Sequence, residues 1–252
     1  MITAAIIQAR MSSSRLPGKS MIKICEKPVI EHIFNRVQSC NLVNKVILAT
    51  SDDPSDDVLY NWSQTNRVNC YRGSLSDVLD RFYKAAILHE VDTVVRITGD
   101  CPLIDPGIID EVIMGFYQGN YDLYSLGGSF PDGLDCQVFS VKSALEVAWK
   151  NAKLISEREH VCPYIENNPE LFKLGFLSKF SDRSSIRITL DQSEDLKLIN
   201  KIYEHLYYSD PLFDINSTLQ FLDDHPEFCN INSGIVRNEG YYKSLTKDFK
   251  KI

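Results

Sequence analysis

Nothing in this sequence pairs its cysteines. Seven of them, at positions 25, 40, 70, 101, 136, 162 and 229, form an odd, scattered set with no C-x-x-C spacing. That pattern speaks against a zinc ribbon or a disulfide framework and is expected of reduced, buried thiols. Long apolar runs are missing too. The opening MITAAIIQAR has no basic stretch, and its apolar run of about six residues is too short for a signal-peptide core or a membrane span. A cytoplasmic protein is expected. A basic excess is also absent: 27 Lys and Arg face 34 Asp and Glu, for a net charge of −7. This argues against a general nucleic-acid binder, while leaving room for a small anion held by a local group of cations. Internal repeats and low-complexity linkers are lacking as well.

What is present fits one large α/β domain. The 252 residues are 44% hydrophobic and 24% charged, ordinary values for a folded chain with a sizeable core. In the first half, short apolar runs predict strands over 3–8, 45–50, 69–71 and 93–97. Helical spacing predicts helices over 28–40, 55–65, 76–89 and 106–118, with Ser76 and Asp105 as N-caps. Such alternation builds right-handed crossovers and a mostly parallel sheet. The second half is less regular. Strands are predicted over 121–126, 135–139, 172–177 and 185–189, and helices over 141–151, 157–166, 194–207 and 216–224. Residues 127–133 form a Gly/Pro-rich turn region, and the tail from about 226 is expected to pack loosely.

Ligands of open parallel sheets sit beyond the carboxyl ends of the strands. The segments 8–20, 50–53, 72–77 and 98–105 all follow predicted strands, so their polar residues should converge on one edge. IIQARMSSSRLPGKSM, residues 6–21, gathers Arg10, Arg15 and Lys19 around small residues. There backbone N–H groups can approach an anion while the cations supply countercharge. It is not a G-x-x-x-x-G-K-[ST] loop, because the first glycine is missing. On charge and spacing, phosphate binding and a solvated loop are equal readings. Asp100, beside Gly99 and ahead of Pro102, reads either as a turn residue or as a ligand for Mg²⁺, which takes one or two carboxylates plus phosphate oxygens. Asp191, ahead of an acidic helix start, reads as a cap or as a second carboxylate on the same ion.

The series QARMSSSRLPGK, KPVIEHIFNRV, ATSDDPSDD, RGSLSDVLDRFYKA, VVRITGDCPLIDP, FPDGLDCQVFS, REHVCPYI and IRITLDQSEDLKLI resembles the SpsF-type cytidylyltransferases of spore-coat and surface-polysaccharide pathways. These are similar to the CMP-Kdo synthetase and acylneuraminate cytidylyltransferase superfamily. The likeness runs from about residue 3 to 205. It implies a mixed-sheet nucleotidyltransferase fold related to GT-A enzymes in residues 1–210, with a C-terminal helix and tail over 211–252. It further implies CTP as donor, Mg²⁺ as cofactor, a sugar-acid or phosphorylated acceptor, and a homodimer formed through residues 127–165.

Carried over by that resemblance, Gln8 and Ala9 would line base and ribose, and Arg10, Arg15 and Lys19 would hold the triphosphate. Asp100 and Asp191 would hold the metal, and Arg72, Ser74 and Asp77 would recognise the nucleoside. Asp132, Asp135, Arg158, Glu159 and His160 would face the acceptor. The chain reads Thr98-Gly99-Asp100 where Kdo and sialate enzymes read Q-G-D, and Gln-Ser-Glu-Asp after Asp191 where Thr-Pro-Glu-Asp is more usual. The first departure bears on the acceptor. Two rivals remain. A nucleotide-sugar-dependent glycosyltransferase of the same fold would want an Asp-x-Asp pair, which Gly99-Asp100-Cys101-Pro102 does not supply. A nucleotide-binding protein that has lost catalysis fits poorly with intact Arg15, Lys19, Asp100 and Asp191.

Overall fold

The computed structural model describes residues 1–179 and 181–249; the last three residues of the tail lie outside this range. Strands β1 (Thr3–Gln8), β4 (Lys45–Ser51), β5 (Asn69–Gly73), β6 (Thr93–Thr98), β7 (Leu123–Leu126), β8 (Cys136–Ser140) and β9 (Leu174–Leu177) form one mixed sheet in the order β5-β4-β1-β6-β8-β7-β9. A small antiparallel ribbon, β2 (Lys23–Ile24) and β3 (Lys27–Pro28), leads into helix α1 (Val29–Gln38). The four strands β5, β4, β1 and β6 run parallel, as the alternating first half predicts, so Gly73, Ser51, Gln8 and Thr98 end on one edge. β8 runs antiparallel to both β6 and β7.

Strand alternation sends side chains to two cores. Ala5, Ile7, Val95 and Ile97 face one core, with α1, α4 (Pro106–Gly119), α8 (Ser193–Leu206) and α9 (Ile215–Asp224) packed on that side. Ala4, Ile6 and Val94 face the other, covered by α3 (Val78–Leu88), α5 (Glu146–Asn151), α6 (Ile155–His160) and α7 (Pro163–Glu166). Helix α2 (Asp57–Thr65) contributes Leu59 to the first core. No helix among the described residues is long and apolar enough to cross a membrane. All seven cysteines are free, four of them buried and three half-buried.

Several expectations are corrected. Helix α3 begins at Val78, capped by Asp77, which accepts from the Asp80 amide at 3.0 Å, not by Ser76. Asp105 caps α4 as expected, accepting from the Ile108 amide at 2.9 Å. The predicted helix over 157–166 is broken after His160, where Val161 has φ of 72°. Pro163 could not continue that helix, because it lacks an N–H and its ring would meet the carbonyl four residues back. Residues 185–189 form no ladder, only a bridge between Arg187 and Asp132.

The largest correction concerns the tail. The helix expected over 216–224 forms as α9, with Ile215, Leu219 and Leu222 in the core beside Phe213. Beyond them come α10 (Pro226–Cys229) and α11 (Glu239–Asp248), and α11 packs on α6. Asp248, 5% exposed, accepts from the Ser156 amide at 3.1 Å, and Ser244 is also buried. The tail is therefore docked, although its sequence carries no long apolar run to announce it.

Candidate active site

A cavity of about 1170 Å³ opens over the carboxyl ends of β1 and β6 and reaches under α6 and α11. Its first wall is the loop after β1. Two contacts fix that loop: the Gly18 amide donates to the Met11 carbonyl at 3.0 Å, and the Met11 amide to Asp56 Oδ1 at 2.6 Å. Asp56, fully buried, also accepts from Thr50 and Ser51 at the end of β4. The chain therefore turns over the sheet edge and returns with Arg15 and Lys19 pointing inward. Gly99 follows β6 directly. A Cβ there would lie 2.7 Å from the Gln8 carbonyl and 2.8 Å from Ala9 Cβ. Only glycine lets the two strand ends close, and that closure brings Asp100 beside the loop.

Lys19 Nζ lies between two carboxylates, 2.8 Å from Asp100 Oδ2 and 2.7 Å from Asp191 Oδ1. Arg15 reaches Asp191 Oδ2 at 2.7 Å and, on its other nitrogen, Glu239 of α11 at 2.9 Å. Burial alone would raise Asp100, but the Lys19 ammonium holds it at about 2. Burial opposes the charge on Lys19 too, and the two carboxylates outweigh it and raise its pKa. Asp191 is not the cap of α8; Gln192 is.

The segment carrying Asp191 is pinned twice. The Leu190 amide and Thr189 Oγ1 donate to the Asp100 carbonyl at 2.7 and 3.1 Å. Asp195, wholly buried, accepts from the amides of Asp191 and Gln192 at 2.9 Å each and pairs with Arg187 at 2.8 Å. Arg187 also pairs with Asp132 at 2.7 Å. Gly133 has φ of 113°, and a Cβ on it would lie 2.5 Å from the Thr189 amide. FPDGLD and IRITLD are thereby interlocked.

The remaining candidates divide. Gln8, Ala9, Arg10, Asp77, Asp132, Asp135, Arg158, Glu159 and His160 all line the cavity; Arg72 and Ser74 do not. Arg72 braces the loop after β4, donating to the Ser51 and Asp53 carbonyls and pairing with Asp57 at 2.7 Å. Ser74 accepts from the Asp77 amide at 3.1 Å. Arg158 meets Asp77 through Nε at 3.0 Å, and Arg10 meets Glu159 at 3.4 Å. Gln8 Oε1 and Ser20 Oγ are buried without a hydrogen-bond partner. Asp135 is pushed up to about 6 by burial and by neighbouring Asp132. His160 sits 3.0 Å from Ser244 Oγ, and burial lowers it to about 4.

Asp195, Arg187, Asp56 and Glu239 carry structural weight that the residue-by-residue reading does not assign. Asp195 could have been found, because an acid three residues past a helix cap commonly returns to the cap amide. Glu239 had no signal in the sequence.

Two carboxylates that already converge on one ammonium can hold a divalent cation at that point, and the donor set is all oxygen, as Mg²⁺ requires. No group of three or more His, Cys, Asp or Glu suited to a metal occurs among the described residues. Phosphate oxygens and water would therefore have to complete the coordination.

A mixed sheet whose parallel edge carries a cationic loop facing paired carboxylates defines a nucleotidyltransferase. The comparisons with known proteins narrow that class. The cytidylyltransferase family model matches residues 4–213. An uncharacterised protein of Methanocaldococcus jannaschii is 38% identical over 94% of this chain and 96% of its own length. The spore coat polysaccharide biosynthesis protein SpsF of Bacillus subtilis is 32% identical over 79% of this chain and 85% of its own. A cytidylyltransferase structure from Leptospira borgpetersenii superposes with a TM-score of 0.87 at 30% identity, covering 94% of this chain and all of that one. The chain belongs to the cytidylyltransferase family and is a CTP-dependent nucleotidyltransferase.

Proposed function

We propose that the protein transfers CMP from CTP to a sugar acid or a phosphorylated small molecule, releasing pyrophosphate, in the making of a surface polysaccharide or glycoconjugate. The observation that carries this reading is Lys19 set between Asp100 and Asp191, with Arg15 on the far side of Asp191. A triphosphate entering this edge meets two cations whose present partners are the carboxylates a divalent ion would claim. Gln8 Oε1, buried and unpartnered, is an acceptor suited to an N–H donor such as the amine of cytosine. Arg10, Arg15 and Lys19 would hold the phosphates, with Arg15 and Lys19 stabilising the charge that develops on the leaving pyrophosphate. Asp77, at the cap of α3, borders the nucleoside side.

Asp100 and Asp191 would hold Mg²⁺, which when bound supplies charge neutralisation and Lewis acidity at the phosphates. The acceptor would lie against β8 and α6, bordered by Asp132, Asp135, Arg158, Glu159 and His160. Its oxygen, either already ionised or a hydroxyl that gives up its proton to water, attacks the α-phosphorus of CTP. The bond from that phosphorus to the bridging oxygen of the β-phosphate breaks, and pyrophosphate departs with the electron pair; no covalent intermediate on the protein is needed. The homodimer is proposed through the parts of 127–165 not covered by the chain's own tail, since α11 already packs on α6.

The test is pyrophosphate release with each of the four ribonucleoside triphosphates, Mg²⁺ and a panel of sugar acids, sugar phosphates and polyol phosphates. Turnover with CTP is expected. Equal turnover with any triphosphate, or none with CTP across the panel, overturns the reading.

A further inference from the structure

Arg96 is a buried cation with no ion pair: Asp100, Asp135 and Glu166 feel its charge, but none reaches contact distance. It stands on β6 four residues before Asp100 and is 8% exposed, yet no carboxylate among the described residues pairs with it. Its Nη1 donates to Gln137 Oε1 at 2.7 Å, and its Nε is buried without any partner. Arg10, Arg15, Arg158 and Arg187, which line the same cavity, each meet a carboxylate. Arg81 meets none, but it bonds the Ser74 carbonyl on the nucleoside side and feels Asp52, Asp56 and Asp77. A guanidinium withdrawn from water and matched only by a neutral amide is costly unless something charged completes it.

The position says what could. Val95 and Ile97 point into the core under α1 and α4, so Arg96 points to the opposite face, beneath α6 and α7. In the sheet it registers with Gln137 of β8, on the side away from the nucleotide loop. Both residues line the cavity, as do His160, Cys162 and Glu166. Arg96 stands within β6 while Asp100 follows its end, so what Arg96 grips lies on the β8 and α6 side of the cavity, where the acceptor is proposed.

We propose that Arg96 and Gln137 form an anion seat for the acceptor: the molecule that receives CMP carries a carboxylate or phosphate, which the Arg96 fork binds. This rests on the cytidylyltransferase reading and sharpens it, since it makes the acid group a condition of binding. The planar fork of arginine suits either oxyanion.

The test is calorimetry on the full chain saturated with Mg²⁺ and the non-hydrolysable α,β-methylene analogue of CTP. Sugar acids, sugar phosphates and polyol phosphates are titrated, each beside its uncharged parent, and the class that binds tells carboxylate from phosphate. At least one acid should bind about 10–100-fold tighter than its parent. Arg96→Gln should bring the two within about threefold, while the affinity for the CTP analogue stays as in the wild type, which shows that the variant is folded. Should that variant not fold, Arg96→Lys keeps the charge without the fork and should lose part of the preference. Acids that bind no better than their parents, or variants that keep the full preference, overturn the seat. Acid binding lost on Arg96→Gln, in a protein that releases no pyrophosphate from CTP, leaves the seat standing and overturns the catalytic reading. Pyrophosphate release that is equally fast with charged and uncharged acceptors does the reverse.

Discussion

Arg15 and Glu239, 224 positions apart, are joined by a 2.9 Å ion pair that ties the loop after β1 to the first turn of α11. Glu239 thus occupies one nitrogen of a guanidinium proposed for the triphosphate. Replacing it with glutamine frees that nitrogen without touching the loop. Glu239→Gln is expected to tighten Mg·CTP binding by about 2–5-fold, the range of a solvent-accessible pair, and to lose that gain at high salt. Calorimetry at two ionic strengths checks it; weaker binding would mean that Glu239 positions Arg15 for the nucleotide.

The same pair shows where sequence reading stops. β1, β4, β5 and β6 and the convergence of their following loops were legible because buried parallel strands announce themselves as short apolar runs. Asp100 stood out because it follows such a run, and the structure brings it together with Lys19 and Asp191. The tail was not. Helix α11 docks through Ser244, Asp248 and Glu239, polar contacts with partners more than eighty residues away, and no local pattern encodes those. Arg72 and Ser74 read as nucleoside-recognising residues only through the family resemblance; in the structure Arg72 lies within β5, and the hydrogen bonds of both hold the adjacent loops. Arg96 was hidden for the opposite reason, as a charged residue inside an apolar strand whose neighbours define the core.

Asp100→Asn and Asp191→Asn separate charge from shape at the proposed metal pair. Each amide keeps the volume but removes a negative charge that now faces Lys19. Each is expected to lower the rate of pyrophosphate release by about 10²–10³-fold, typical for loss of one element of charge stabilisation. Because Lys19 holds the Asp100 carboxyl at about 2, Asp100→Asn is also expected to lower thermal stability, so rates are compared well below the unfolding temperature of each variant. Near-normal release in either variant would remove that residue from the metal site.

Asp135 should give a pH signature in the metal-free protein. Burial and Asp132 raise its carboxyl from 3.8 to about 6, so the fold prefers the neutral acid. Stability from this group is full below pH 3.8, falls as pH rises from there through 6, and stays lower beyond. The lost stability is on the order of 2–3 kcal/mol. Asp135→Asn is therefore expected to be the more stable protein at pH 8 and the equal of wild type near pH 4. Urea denaturation at both pH values, with chelator present, reads the difference; a variant less stable at pH 8 would show the carboxylate to be a favoured charge.

Asp195 tests how the second carboxylate is presented. It is wholly buried, accepts the amides of Asp191 and Gln192, and shares Arg187 with Asp132. Asp195→Asn keeps the shape but leaves Arg187 short of an anion, and breaking one side of a buried pair costs about 3–5 kcal/mol. Asp132 still faces Arg187, which places the expected loss at the lower end. The consequence for the site is more specific. With its amide no longer fixed by a carboxylate, Asp191 should wander, so the metal dependence of pyrophosphate release should shift to higher Mg²⁺ concentration while the CTP requirement stays. A variant that loses stability but keeps the wild-type Mg²⁺ dependence would show that the Asp100 carbonyl, through Leu190 and Thr189, suffices to hold Asp191 in place.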